Sequence, residues 1–161
     1  MLSVKAGDGE WSSWKERERK GDLMSLERFY AAQKDSYGQA LKEIKNGRKR
    51  SHWMWYIFPQ IAGLGMSSTA QYYAITDLQE AKKYMADNVL GGRLLEISGA
   101  LLDLETDDAH EVFGYPDDMK LRSSMTLFSA AAPEQEVFQK VLDKYFGGKQ
   151  DERTLQLLKE I

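Results

Sequence analysis

The chain has 161 residues, which suits one domain, and a domain of this size buries about 70% of the surface that its unfolded chain exposes. It contains no cysteine and two histidines, so disulfides, thiolate catalysis and Cys-ligated zinc are excluded and a His-rich metal site is not expected. The net charge of -3 argues against nucleic-acid binding through overall charge, although it leaves room for a local basic patch.

The first 23 residues differ in composition from the rest of the chain. Trp11 and Trp14 are their main large apolar side chains, and residues 15–20 form a run of alternating charges. Such a segment is typical of a flexible charged extension, and a short helix docked through the two tryptophans is the alternative. We therefore predict an N-terminal extension at residues 1–23 and a helical domain at residues 24–161.

Apolar runs in this sequence are too short for a membrane span. A helix needs about 20 apolar residues to cross a bilayer, and the N-terminus lacks the apolar core of a signal peptide. We expect a cytoplasmic protein that is not embedded in a membrane. The sequence leaves the oligomeric state open.

Helical patterns follow one another from Ser25 onward, with capping and breaking residues between them. Ser25 is positioned to cap the first helix, and Tyr37–Lys45 predicts a second that stops at Gly47. Ser51 is positioned to cap a third helix, whose regular hydrogen bonding must falter near Pro59. After the glycine turn that follows, a fourth helix is expected to start at Ser67 or Ser68.

The second half of the chain contains the longest helical pattern. Thr76 and Gln79 form a capping-box pattern, and apolar residues recur at spacings of three and four from near Val89 to Leu104. Further helices are predicted at Met119–Ala131, at Glu134–Phe146 and after Asp151. The whole pattern predicts an all-α protein, a single compact irregular domain of about eight short helices.

Several blocks of the sequence, in a fixed order, resemble a known family. These blocks are Arg48–Gln60, Gly63–Gly65, Tyr73–Ile75, Leu90–Leu94, Phe113–Gly114 and Asp117–Phe128. They resemble the bacterial domain-of-unknown-function family DUF1810, which is typified by a mycobacterial all-helical protein and often mislabelled calpastatin. The resemblance covers roughly Leu26 to Leu158. It implies a compact, mostly helical fold and no established activity.

The first candidate site is the segment 47–67, which combines cations, aromatic rings and a glycine turn. Lys49 and Gln60 border Trp53 and Trp55 with polar groups, so the segment builds either a core or the wall of a pocket. The two tryptophans are two positions apart, which places them on different faces of a helix. At most one of them should point into the core.

His52 is the candidate catalytic residue of this segment, as a general acid or base. The alternative is a purely structural hydrogen bond. The turn at Gly63–Gly65 can direct backbone N–H groups towards a phosphate, but it is also an ordinary way to turn a chain. Neither the P-loop nor the dinucleotide fingerprint is present, and we expect no cofactor and no metal.

The second candidate site is the helix start at residues 117–126. Asp118 can pair with Arg122 four residues later, so helix stability explains part of the pattern. Lys120 and Arg122, next to the hydroxyl of Ser123, can also complete a site for an oxyanion or a phosphate. No Ser-His-Asp order can be assigned, because the sequence does not show which serine meets a histidine.

Two hypotheses from different classes follow. The first is a site for a phosphate-bearing small ligand, a nucleotide or an ADP-ribose-like molecule, with hydrolysis by His52 as an additional activity. The ligand-binding residues would be Lys49, Trp53, Gln60, Tyr73, Arg93, Lys120, Arg122 and Ser123. A faint resemblance of Lys120–Phe128 to proteins that act on ADP-ribose conjugates directs this choice of ligand. The second hypothesis is a non-enzymatic interaction module that docks an acidic partner through its cations.

Overall fold

The computed structural model describes residues 26–160, so the flexible extension expected at residues 1–23 lies outside the described part of the chain. Ten helices and no strand form within residues 26–160, which confirms the all-α single domain. The first helix, α1, covers residues 26–33. The others are α2 Tyr37–Lys45, α3 Met54–Ile57, α4 Ser68–Tyr73, α5 Leu78–Ala86, α6 Asn88–Leu102, α7 Ala109–Phe113, α8 Asp117–Ala131, α9 Val137–Phe146 and α10 Glu152–Glu160.

Helix α8 is the most enclosed element, packed against α5, α7, α9 and α10. Its buried side chains include hydroxyl residues as well as apolar ones. The Thr126 hydroxyl donates to the carbonyl of Arg122 at 2.8 Å, and the Ser123 hydroxyl donates to the carbonyl of Met119 at 3.3 Å. Hydroxyl side chains that bond back to their own helix can be buried in this way. The hydroxyl-rich run of α8 therefore belongs largely to the interior.

Helix caps agree with the sequence prediction at some positions and differ at others. Ser67 caps α4, and Asp151 accepts from a backbone N–H of α10 at 3.0 Å, both as predicted. The predicted cap at Thr76 is wrong, because α5 is capped by Asp77. Ser51 does not cap α3 either, since its hydroxyl donates to a buried carboxylate of α2.

No helix in the part of the chain that the structure describes is long and apolar enough to span a bilayer. Among residues 26–160, no group of three or more acidic or histidine side chains is arranged to hold a metal ion. The cytoplasmic location stays a prediction.

Candidate functional site

A buried carboxylate on α2 fixes the start of the basic and aromatic segment. Glu43 is 3% exposed, and its Oε1 accepts hydrogen bonds from the backbone N–H groups of Arg50 at 2.8 Å and Ser51 at 2.9 Å. The same oxygen accepts from the indole N–H of Trp53 at 2.9 Å. Oε2 accepts from the Ser51 hydroxyl at 2.5 Å and from Gln39 at 2.9 Å. Glu43 thereby holds the chain at α3 in one conformation.

The ionised form of Glu43 is strongly favoured. Burial raises the pKa of its carboxyl, but hydrogen bonds from Ser51, Arg50 and Gln39 together outweigh burial and lower the pKa to about 2. The negative charge of Glu43 is thus stabilised by hydrogen bonds from uncharged donor groups. Glu43 was not predicted from the sequence.

The two tryptophans of this segment differ in burial, as predicted. Trp53 is 1% exposed, and its ring centroid lies 6.2 Å from that of Phe58 and 6.5 Å from that of Phe113. Trp55 is partly buried and lines a cleft at the surface. From the sequence, Trp53, Trp55 and Tyr73 were all candidates for stacking, and Trp53 was counted among the ligand-binding residues. In the structure Trp55 is the tryptophan that lines this cleft, and Trp53 lies in the core.

The cleft beside Trp55 is narrow. About 260 Å³ in the cleft and its open mouth is free of protein atoms, and the centre of a water molecule can reach about 10 Å³ of it. A volume of about 10–15 Å³ on this measure holds roughly one water. Two predicted ligand residues, Gln60 and Tyr73, line the cleft. The full lining consists of Trp55, Gln60, Ile61, Gly65, Ala70, Tyr73 and Ala74.

The loop that forms the outer wall of the cleft is fixed at its base. Ile75 donates its backbone N–H to the carbonyl of Gln60 and accepts from Ala62, each at 2.8 Å, in a parallel bridge. At Gly65 the chain approaches α4 so closely that an added Cβ would lie 2.5 Å from the Cβ of Ala70. None of the residues of α4 is buried. The loop is therefore anchored at its ends and lightly packed at its tip.

Lys120 lies beside Trp55, Lys49 lies 5.1 Å from the centre of the Trp53 ring, and Asp117 joins the two lysines. The Lys120 ammonium is 5.4 Å from the centre of the Trp55 ring. Asp117 bridges the lysines, with its Oδ1 3.5 Å from the Lys120 nitrogen and its Oδ2 2.9 Å from the Lys49 nitrogen. Lys49 also donates to the carbonyl of Ser51 at 2.6 Å. One carboxylate compensates two ammonium groups, so this cluster carries a net charge of +1.

His52 is exposed and does not line the cleft. Its carbonyl accepts a hydrogen bond of 3.4 Å from the hydroxyl of Tyr56. Its imidazole makes no hydrogen bond or ion pair with another residue of 26–160. His52 lies three residues before Trp55, and the ring of its partner Tyr56 is 5.2 Å from that of the cleft residue Tyr73.

Arg122 and Ser123 serve the packing of α8. The Arg122 guanidinium donates from Nε to the carbonyl of Lys149 at 3.1 Å and from Nη2 to the carbonyl of Gln150 at 3.0 Å. The expected pair of Arg122 with Asp118 is wrong, because both bonds go to the connection between α9 and α10. Ser123 donates within its own helix. Neither residue lines the Trp55 cleft.

Arg93 lies at a different cavity from the other predicted residues. Its guanidinium carbon is 5.3 Å from the centre of the Tyr37 ring, and its Nη1 donates to Gln33 at 3.2 Å. The cavity that it lines shares no residue with the Trp55 cleft. Of the predicted residues, Gln60 and Tyr73 thus line the Trp55 cleft. Lys120 adjoins the Trp55 ring without lining the cleft, and Lys49 is joined to Lys120 only through Asp117.

The fold and the family comparison agree on the class of protein. The family model described as Protein of unknown function (DUF1810) matches residues 23–158, so the chain belongs to this all-helical family. The conserved hypothetical protein Rv1873 from Mycobacterium tuberculosis has a similar structure, with a TM-score of 0.82 and 46% sequence identity. The match covers 83% of this chain and 96% of that chain. No curated protein matches the sequence.

Proposed function

We propose that the cleft beside Trp55 binds a phosphate-bearing small ligand that also contains a planar ring, a nucleotide or an ADP-ribose-like molecule. The main support is the position of the Lys120 ammonium, which lies 5.4 Å from the centre of the Trp55 ring. Trp55 lines the cleft together with Gln60 and Tyr73. A planar ring can stack on an exposed aromatic face while a phosphate pairs with an ammonium group. Gln60 adds a side-chain donor and acceptor.

The charges beside Trp55 support an anionic ligand. The Lys120 side chain is 27% exposed, and its 3.5 Å pair with Asp117 is the longer of the two lysine contacts of that carboxylate. Partly exposed pairs of this kind contribute about 0–1 kcal/mol, so an arriving phosphate can replace Asp117 at Lys120 at little cost. Lys49, at 2.9 Å, would keep Asp117 in place.

A ligand larger than one water can enter only if the cleft widens. The N-terminal part of α4 has little packing to lose, because α4 buries no residue and its cap Ser67 is exposed. Tyr73, at the C-terminal end of α4, packs instead against the rings of Phe29 and Tyr56. Segments with few buried contacts open at low free-energy cost. We therefore expect the N-terminal part of α4 to move away from Trp55 when a ligand binds, with Tyr73 and the bridge between Ile61 and Ile75 staying in place.

Hydrolysis by His52 is the additional activity in this proposal. The imidazole of His52 is exposed at the surface. If the bound ligand is hydrolysed, His52→Gln should remove turnover, because a glutamine side chain cannot act as a general acid or base, and should leave binding intact.

Binding is tested by a thermal-shift screen against nucleotides, ADP-ribose, sugar phosphates and inorganic phosphate. A ligand present at 100 times its Kd stabilises the folded state by about 2.7 kcal/mol. The shift should disappear in Trp55→Ala and in Lys120→Gln. Lys140→Gln is the matched control, because Lys140 is an exposed helical lysine on α9 in an i,i+4 pair with Glu136. Failure of every phosphate compound to shift the transition would reject the proposal.

A non-enzymatic interaction module is the second candidate, and exposed apolar side chains favour it. Met66 is 81% exposed, Tyr72 60%, Tyr115 77% and Met119 44%. Exposed aromatic residues and methionine are typical of protein contact surfaces. An acidic partner that contacts these side chains should lose affinity on Tyr72→Ser or on Tyr115→Ser. A small ligand in the cleft should depend on Trp55 instead.

A further inference from the structure

We propose that Arg93 anchors a second binding site, independent of the Trp55 cleft, for a small molecule that carries a single carboxylate or phosphate group. The cavity at Arg93 is open to solvent and wider than the cleft, since the centre of a water molecule can reach about 260 Å³ of it, against about 10 Å³ beside Trp55. Its walls come from α1 and α6. The lining residues are Glu27, Tyr30, Ala31, Lys34 and Arg93.

The Arg93 guanidinium is held in place before any ligand arrives. It lies over the Tyr37 ring and donates from Nη1 to the side-chain oxygen of Gln33 at 3.2 Å. Gln33 is 1% exposed, and its amide nitrogen donates to the Tyr56 carbonyl at 2.8 Å and the Tyr84 hydroxyl at 2.9 Å. These bonds fix which end of the amide faces Arg93. An arginine already held in one conformation loses less entropy on binding an oxyanion.

Most of the donor capacity of Arg93 is unused. A guanidinium has five N–H donors, and one of those on Arg93 is bonded to another side chain within residues 26–160. The remaining donors match the two oxygens of a carboxylate or the oxygens of a phosphate. Lys34, exposed on the α1 wall of the cavity, adds a second positive charge.

Carboxylates near the Arg93 cavity limit the negative charge of a ligand that can bind there. Asp87 caps α6 and accepts the hydroxyl of Tyr30, and Glu96 accepts the hydroxyl of Tyr37 at 2.6 Å. Both carboxylates therefore have partners of their own. Glu27, in contrast, lines the cavity itself and would repel a second anionic group. The ligand should accordingly have one oxyanion and a remainder that is neutral or cationic.

The experiment is an NMR titration of the arginine Nε–H resonances of the full chain with sodium phosphate and, separately, with sodium acetate. The Arg93 resonance should shift and saturate at millimolar ligand. The Arg122 resonance should stay unchanged, because two backbone carbonyls already occupy its guanidinium. Glu27→Gln should tighten binding by about fivefold, the effect of removing one unit of like charge at a partly exposed site.

Further variants keep the test decisive if Arg93→Lys alters the fold. Because Arg93→Lys removes the Arg93 resonance itself, that variant is followed by the backbone N–H resonances of the lining residues Tyr30 and Ala31, which should no longer shift and saturate. Lys34→Gln, a change at an exposed position, should weaken the response of Arg93. The proposal is overturned if the Arg93 resonance does not move, or if it moves no more than that of the exposed Arg48, which would indicate ionic screening only. Lys120→Gln should not affect this titration, so failure here is separable from failure at the Trp55 cleft.

Discussion

At the scale of single residues, Glu43 is the buried carboxylate that accepts five hydrogen bonds near the candidate site. It receives hydrogen bonds from residues 50–53 at the start of α3, including the indole of Trp53, and from Gln39 on its own helix. A buried acceptor that loses its charge leaves several donors poorly satisfied. The stability of the candidate site should therefore depend on this carboxylate.

Glu43→Gln should lower the free energy of unfolding at neutral pH by about 3 kcal/mol, since the pKa of Glu43 falls from 4.5 to about 2 on folding. Urea unfolding measures this difference. Glu136→Gln is the control, because Glu136 is 79% exposed in its pair with Lys140 and should change stability by less than about 0.5 kcal/mol. Equal small losses from both variants would contradict the account of Glu43.

The Glu43→Gln difference should also depend on pH. The folded-state pKa lies below the ordinary value, so the ionised carboxylate stabilises the fold above about pH 4.5, and this stabilisation is lost as the pH falls towards 2. Urea unfolding between pH 7 and pH 2 should show the two proteins converging in stability at the acid end. A difference that stays constant over this range would show that Glu43 does not act through its charge.

Trp53→Ala and Trp55→Ala should have unequal effects on stability. Removal of the fully buried Trp53 ring should cost about 3–5 kcal/mol, as for other large core side chains. Trp55 is only partly buried, so its removal should cost less than about 2 kcal/mol. Urea unfolding of both variants tests this, and equal large losses would place Trp55 in the core and remove the stacking surface.

At the scale of elements, the contact between α5 and α6 depends on one glycine of an adjacent pair. A Cβ added at Gly91 would lie 2.3 Å from the carbonyl oxygen of Met85, whereas a Cβ at Gly92 would have no neighbour within 4 Å. The two glycines are consecutive in α6, but only the first faces α5. The close approach of the two helices therefore requires glycine at residue 91.

Gly91→Ala and Gly92→Ala should change stability in opposite directions. Gly92→Ala should raise the melting temperature, because alanine in an exposed helical position is favoured over glycine by about 0.5–1 kcal/mol. Gly91→Ala should lower it, because the new methyl group meets the backbone of α5. Calorimetry of both variants distinguishes them. A rise for Gly91→Ala would mean that α5 and α6 are further apart than described.

At the scale of the whole molecule, the positions of most helices could be predicted from the sequence, because the spacing of apolar residues indicates which face of a helix is buried. The stripe of α6 is an example, since Leu90, Leu94, Ile97 and Leu101 are buried as predicted. Leu104, the last predicted member, lies beyond the end of α6 at Leu102 and is only partly buried. Capping residues were less predictable, because several polar residues near each helix start compete for the same backbone donors. The start of α5 at Asp77, one residue after the predicted cap, illustrates this.

The candidate site could be predicted only in part. Gln60, Tyr73 and Lys120 were identified as polar, aromatic and cationic residues of unusual segments, and they adjoin Trp55 in the structure. The role of Arg122 had no sequence signal, because its partners are backbone carbonyls about 27 residues later in the chain. Glu43 had a usable signal, a carboxylate next to the buried Ile44 on the apolar face of α2.

The proposed function rests on the claim that a phosphate-bearing ligand binds in the Trp55 cleft, and not at Trp53 or in the core. The most direct measurement is the indole N–H spectrum of the protein during titration with ADP-ribose and with nucleotides, the peaks being assigned by Trp→Phe variants. The Trp55 peak should shift and saturate, while the Trp53 peak, whose N–H is bonded to Glu43 in the interior, should stay in place. A Trp55 peak that does not move with any of these ligands would contradict the claim.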